Sequence, residues 1–283
     1  MIKEPRVIAG RYTEAFAIGR EKNETIFMPY LPAGFPSLSE TVPLLRALVS
    51  GGAGAIEVGM PFTDPLADGP TIQRANLIAL QDGVNLKHIF SAVSELRDSG
   101  LDIPITLMGY LNPFLSYRSG NSSDVIGIES LAHDASSAGV DGFIIVDLPP
   151  EESDIYRTIL ESYNLALIYL LAPTSTDERI REVTRRAKGF IYPVSVTGVT
   201  GVRSTIPDNM AMFVERVRSA TNLPLAVGFG ISDRKQVESV GKLCEAAVAG
   251  SAVIECLEEV SSSERVDALQ KFTEVMTGRR QEN

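Results

Sequence analysis

A chain of 283 residues can fill one large α/β barrel or two small domains with an ample core. With 44% hydrophobic and 22% charged residues and no low-complexity stretch, its composition is that of an ordinary soluble globular protein. A net charge of -10 argues against nucleic acid or an anionic membrane as partner, because both are held by clustered Lys and Arg.

Residues 1–9 read as a short tail, and Arg11–Asn23 as a helix with Tyr12, Ala15, Phe16 and Ile18 on a partial apolar stripe. The first strand is expected over Thr25–Leu31, then a helix over Ser39–Val49 whose start Pro43 blurs. A strand over 54–60 enters a proline-rich loop, followed by helices over Pro70–Ala79 and Lys87–Arg97. Pro70 suits a first helical position. Further strands are expected at Ile103–Met108, Phe143–Val146, Leu165–Leu171, Phe190–Val194, Leu223–Val227 and Ala246–Ala249. Helical stretches fall near 125–137, 151–161, 177–187, 207–218, 233–240 and 263–276. Apolar runs such as Phe143-Ile144-Ile145-Val146 suit parallel strands covered on both faces. Eight strands, each followed by helix, point to a single (β/α)8 TIM barrel with an extra N-terminal helix. The barrel is expected over residues 10–278, between tails at 1–9 and 279–283. A doubly wound open sheet is the alternative. The polar stretch Arg118–Asp124 is the expected mobile loop. The charged run Asp177–Arg186 places Ile180, Val183 and Ala187 on one face, so its charges read as a solvated outer face.

No apolar run approaches membrane-spanning length, and the N-terminus has no apolar signal core. The only cysteines, Cys244 and Cys256, exclude a disulfide framework and fit a reducing compartment. A cytoplasmic location is expected.

The segment Glu57–Pro70 carries the strongest chemical signal. Ala55, Glu57 and Gly59 share one strand face, which sets a lone carboxylate between two very small residues beside an expected hollow. The loop beyond is stiffened by Pro61, Pro65 and Pro70 and bears Asp64 and Asp68. A glutamate facing a hollow, with an aspartate delivered beside it, suits proton transfer. The alternative makes Glu57 an exposed edge residue and the aspartates turn formers.

Three glycine clusters follow the late strands: Gly198 to Gly201, Gly228-Phe229-Gly230 and Gly250-Ser251. In such barrels the loops after strands seven and eight often bind phosphate, through backbone amides and the N-terminus of a short helix. Ser251 is placed to open that helix. No lysine lies inside an expected strand, which argues against a Schiff-base aldolase. His88 and His133 both fall in helices, and no metal-ligand spacing, dinucleotide fingerprint or Walker loop is present. Metal-free acid–base chemistry on a phosphorylated substrate remains.

The run Pro61-Phe62-Thr63-Asp64-Pro65-Leu66-Ala67-Asp68-Gly69-Pro70-Thr71-Ile72-Gln73 resembles the signature of the tryptophan synthase α subunit family. The likeness extends through Pro32–Pro36, Leu107–Pro113, Asp147–Glu152, Ser195–Gly201, Gly228–Ser232 and Gly250–Ala252. It implies a TIM barrel that cleaves indole-3-glycerol phosphate to indole and glyceraldehyde 3-phosphate. Glu57 then matches the acid/base glutamate and Asp68 the aspartate that meets the indole nitrogen. Tyr30, Tyr110, Tyr192 and Phe229 match the indole side, and Thr200 a threonine on a closing loop. Gly201, Gly230, Gly250 and Ser251 match phosphate-binding positions. Asp64, Pro65, Asn112 and Pro113 match positions facing a β subunit, which carries the pyridoxal phosphate; no cofactor is expected in this chain. Pro32 and Val196 depart from residues common in relatives, and Arg118–Asp124 reads as a small insertion. The length suits the α part alone. The resemblance leaves three rivals: a stand-alone lyase releasing free indole, an inactive α-like activator of a β subunit, and another phosphate-sugar barrel.

Overall fold

Strand segments with no polar face must be covered on both sides, and here a ring of helices encloses a closed sheet. The computed structural model describes residues 10–119, 127–194, 208–228 and 230–281. The tail at 1–9, residues 120–124 of the polar stretch, Val196, Thr200, Gly201, Phe229 and residues 282–283 lie outside the described residues.

The chain runs α1 (Gly10–Lys22), β1 (Ile26–Pro32), α2 (Thr41–Ser50), β2 (Ile56–Gly59), α3 (Pro70–Gln81), α4 (Leu86–Asp98), β3 (Ile105–Gly109) and α5 (Leu111–Leu115). It continues through α6 (Ile128–Ala138), β4 (Gly142–Ile145), α7 (Asp154–Ser162), β5 (Ala166–Leu171), α8 (Asp177–Arg186), β6 (Ile191–Pro193) and α9 (Asp208–Arg218). It closes with β7 (Ala226–Val227), α10 (Arg234–Gly241), β8 (Ala246–Ala249), α11 (Ser251–Glu258) and α12 (Arg265–Met276). All neighbours pair in parallel in the order β6-β5-β4-β3-β2-β1-β8-β7. Bridges Ile191↔Leu225 and Val194↔Gly228 join the two ends, so the sheet is a TIM barrel and not an open doubly wound sheet.

The helix starts follow local chemistry. Asn85 accepts from the Lys87 and His88 amides at the head of α4, and Asp233 and Gln236 form a capping box on α10. In α8, Ile180 and Val183 are buried while Arg179 and Arg186 pair with acids of the neighbouring Glu151–Asp154 segment, the solvated outer face expected. Several strands are shorter than their apolar runs, and β7 keeps only two residues. Helix α5 is too short to show periodicity in sequence. Its Pro113 falls in the first turn, where a missing N–H breaks no intrahelical bond.

The barrel interior is filled by Met28, Ala55, Ile144, Ile168, Ala226 and Ala246, and α1 plugs its N-terminal mouth. Tyr12 and Phe16 of α1 pack against Phe190, with ring centroids 5.5 and 6.1 Å apart. Gly142 and Gly189 make room for Tyr12: a Cβ on either would lie 2.9 and 3.1 Å from its side chain. The Tyr12 hydroxyl reaches Thr106 Oγ1 at 2.7 Å. Beside it, buried Asp141 accepts from Arg11 and Arg97 at 2.7 Å each and from the Ile105 amide at 2.8 Å. These bonds fix α1 beneath the layer that contains Glu57.

Candidate active site

Paired residues on parallel strands project to the same side of the sheet. Glu57 of β2 is level with Tyr30 of β1 and Thr106 of β3, inside the barrel. It is 1% exposed, which rules out the edge-residue reading. Neither carboxylate oxygen has a hydrogen-bond partner among the described residues. Burial pushes its pKa up to about 8.

The space expected beside Glu57 is partly taken. A Cβ on Gly59 would strike the Tyr30 phenol, so that ring leans across β2 above the glutamate. On the far side of the barrel the same device recurs. A Cβ on Gly228 would stand 2.7 Å from the Tyr192 hydroxyl oxygen. Burial raises both phenols well above their usual range; the Asp68 and Glu57 charges add to this at Tyr30, and the Glu57 charge at Tyr192.

Asp68 arrives on the proline-rich loop. Its amide donates to the Pro65 carbonyl at 3.0 Å, and Gly69 and Pro70 then start α3. Gln73 Nε2 donates to the Asp68 carbonyl at 2.8 Å, and Asn76 Nδ2 to its carboxylate at 3.1 Å. The Ala67 amide donates to the Tyr110 hydroxyl at 3.0 Å, which keeps that hydroxyl close to the Asp68 side chain. Burial lifts Asp68 to about 6, against the pull of the bonds from Tyr110 and Asn76, which favour the carboxylate. Phe62 packs on Tyr110 at 5.2 Å between ring centroids.

Beyond β7 and β8 lie Gly230, Gly250 and Ser251. Gly230 has φ +85°, and a Cβ there would touch nothing, so the backbone is open to a ligand. Gly250 stands at the head of α11, which Ser251 opens, and abuts Tyr30 and Ile72. Unpaired amides at such a helix end can hold an anion. Around the mouth, Asp64 and Asn112 are exposed, Pro65 and Pro113 are half-buried, and Leu66 is 95% exposed. The β3 and β4 exits are tied by the Leu111 amide donating to Asp147 at 2.7 Å.

The structure therefore brings Tyr30, Glu57, Asp68, Tyr110 and Tyr192 together, with Gly230, Gly250 and Ser251 at neighbouring strand exits. Asn76 went unread in the sequence. One polar residue among Ala75 and Ala79 on the buried face of α3 was its available signal. Among the described residues no His, Cys, Asp and Glu group could hold a metal ion, and no helix is long and apolar enough to cross a membrane.

A family model described as tryptophan synthase alpha chain matches residues 16–281. The tryptophan synthase alpha chain of Roseiflexus castenholzii is 44% identical over 268 residues, covering 95% of this chain and 99% of that protein. The tryptophan synthase of Saccharomyces cerevisiae is 41% identical over 262 residues, 92% of this chain but 36% of that longer protein. Among solved structures, the tryptophan synthase subunit alpha of Legionella pneumophila superposes with a TM-score of 0.85 at 31% identity, covering 95% of this chain and 97% of that one. A barrel so placed in sequence and in space leaves one assignment: the chain belongs to the tryptophan synthase alpha chain family.

Proposed function

We propose that this chain cleaves indole-3-glycerol phosphate to indole and glyceraldehyde 3-phosphate, as the α subunit of a cytoplasmic tryptophan synthase. The observation that carries the reading is Glu57, an acid 1% exposed with both carboxylate oxygens unpartnered. Fold stability gives no reason to bury such a group, whereas a proton shuttle needs one.

The cleavage is a retro-aldol reaction and needs an electron sink. Glu57, protonated at neutral pH because burial holds its pKa at about 8, gives its proton to C3 of the indole ring. The ring becomes an iminium-like cation. Asp68, a carboxylate at that pH, accepts the ring N–H bond and stabilises the charge. Glu57, now a carboxylate, removes the proton of the glycerol hydroxyl next to the ring. The C–C bond breaks, its electrons return to the indole, and the aldehyde leaves. This sink lies in the substrate, so the step calls for neither lysine nor metal. Pyridoxal phosphate belongs, on this reading, to the β subunit.

Tyr30, Tyr110, Tyr192 and Phe229 flank the indole. Gly201, Gly230, Gly250 and Ser251 hold the phosphate, and Thr200 closes the loop over the site. Residues 10–278 act as one catalytic unit. Asp64, Pro65, Asn112 and Pro113 meet the β subunit.

Steady-state cleavage of indole-3-glycerol phosphate by the isolated chain, with and without a β subunit, tests the reading. Weak cleavage alone and strong activation by the partner is the expected result. Rapid cleavage that ignores the partner would favour a stand-alone lyase, and no cleavage in either setting would refute the enzyme.

A further inference from the structure

The eighth residue after Asp68 is an asparagine that fold stability does not explain. Asn76 is 2% exposed on the inward face of α3, between Ala75 and Ala79. Its amide nitrogen donates to Asp68 Oδ2 at 3.1 Å, while its carbonyl oxygen is buried with no partner among the described residues. A buried, unpaired carbonyl costs stability, and packing alone would be served better by an apolar side chain of the same size.

We propose that Asn76 is a positioning residue for the cleavage, holding the Asp68 carboxylate in place for the indole N–H. The proposal rests on the reading of Asp68 given above and adds a group that does not touch substrate.

The geometry supports it. Asn76, rising from α3, is the side chain that donates to the Asp68 carboxylate, and the Tyr110 hydroxyl, at the β3 exit, favours the ionised form beside it. A donor carried on a separate, rigid element restrains a carboxylate that its own loop would leave free to rotate. Gln73 anchors only the backbone carbonyl of Asp68, so it cannot substitute for Asn76. The other charged and titratable groups around Asp68 do not compensate. Tyr30 from β1 is a buried phenol, Glu57 lies deeper on β2, and Asp147 acts on Tyr110. Arg74, two residues before Asn76 on α3, is turned away and paired with Glu258 of α11.

Donation from Asn76 also favours the ionised form of Asp68, so losing it raises the Asp68 pKa. Activity that needs the Asp68 carboxylate must then fail at higher pH. Glu57 governs the alkaline limb of the profile, so the acid limb reports Asp68 separately.

The test is the pH profile of kcat/KM for indole-3-glycerol phosphate cleavage, read with the thermal midpoint, in the parent, Asn76→Leu and Asn76→Asp. The expected result for Asn76→Leu is cleavage about 10- to 100-fold slower, the worth of a hydrogen bond to a charged group. Its acid limb moves to higher pH, and its thermal midpoint is unchanged or raised. Asn76→Asp keeps the shape but sets two carboxyl groups against one proton, so its acid limb should move further still. An acid limb fixed in both variants overturns the assignment, whether the rate is retained or falls in step with stability. A parent that does not cleave the substrate at all would instead refute the proposed function, so the two failures are distinguishable.

Discussion

Tyr192 and Gly228 fit each other across the β6–β7 seam, with the phenol oxygen 2.7 Å from where a Cβ of Gly228 would stand. The missing side chain of one residue is the seat of the other. Gly228→Ala should therefore displace the Tyr192 ring into the chamber and lower kcat/KM by about tenfold, mainly through KM. Tyr192→Phe removes the oxygen that the methyl strikes. In the double variant the two effects should couple by more than about 0.5 kcal/mol, measurable in a thermal-melt cycle. Simple additivity would mean the ring does not rest on Gly228.

Glu57→Gln keeps the shape of the acid but carries no transferable proton. Cleavage should fall at least about 100-fold at every pH. In the parent, kcat/KM should rise through about pH 6 as Asp68 ionises and fall through about pH 8 as Glu57 loses its proton. A profile flat from pH 5 to 9 would sink both assignments.

The same substitution has a stability signature. The folded pKa of Glu57 lies above its ordinary value of 4.5, so the folded state holds a proton that the unfolded chain releases. The stability this supports is present in full below about pH 4.5 and is lost progressively as pH rises to about 8. Glu57→Gln does not titrate. Its melting temperature should exceed the parent's increasingly over that window, by the equivalent of a few kcal/mol at the alkaline end. Parallel melting curves across the window would show that burial does not perturb Glu57.

The phosphate position can be probed by charge. Ser251 opens α11, where amides point outward, so Ser251→Asp places an anion on the proposed seat of another. Affinity for glyceraldehyde 3-phosphate or inorganic phosphate should weaken at least about tenfold, with the thermal midpoint little changed because aspartate suits a helix N-terminus. Unchanged affinity by calorimetry would place the anion elsewhere.

At the mouth, Thr63 Oγ1 donates to the exposed Asp64 carboxylate at 2.5 Å, and Leu66 projects into solvent two residues on. Asp64→Ala should reduce activation by a β subunit more than it reduces basal cleavage. Leu66→Ala should weaken the complex, since a large exposed apolar side chain on a stiff loop is suited to burial by a partner. Equal effects on basal and activated rates would separate the loop from the interface.

Much of this was legible in the chain. The eight strands were readable because each is a short apolar run closed by turn residues, and Glu57 stood out as a lone acid inside one of them. That Asp68 would be held on a restrained loop followed from the prolines around it. Strand ends were less legible, because hydrophobic residues such as Leu223 and Phe190 continue beyond the ladder while still packing in the core. The glycines at 59 and 228 could be seen, but not that tyrosine rings from neighbouring strands occupy them. Such contacts join residues 29 and 36 positions apart, and no local pattern records them. Asn76 was lost for the same reason, since its partner is set by how α3 folds back onto the preceding loop.

The seat of α1 also fixes an order of events during synthesis. Its thirteen residues leave the ribosome before the barrel strands, yet their contacts reach Thr106, Asp141 and Phe190. At bacterial or eukaryotic translation rates, the interval before Phe190 is made is on the order of ten seconds. A helix of this length is marginal in water without packing. Tyr12 and Phe16 must therefore wait exposed while most of the barrel is built, and chains truncated before β6 should leave the first helix unformed.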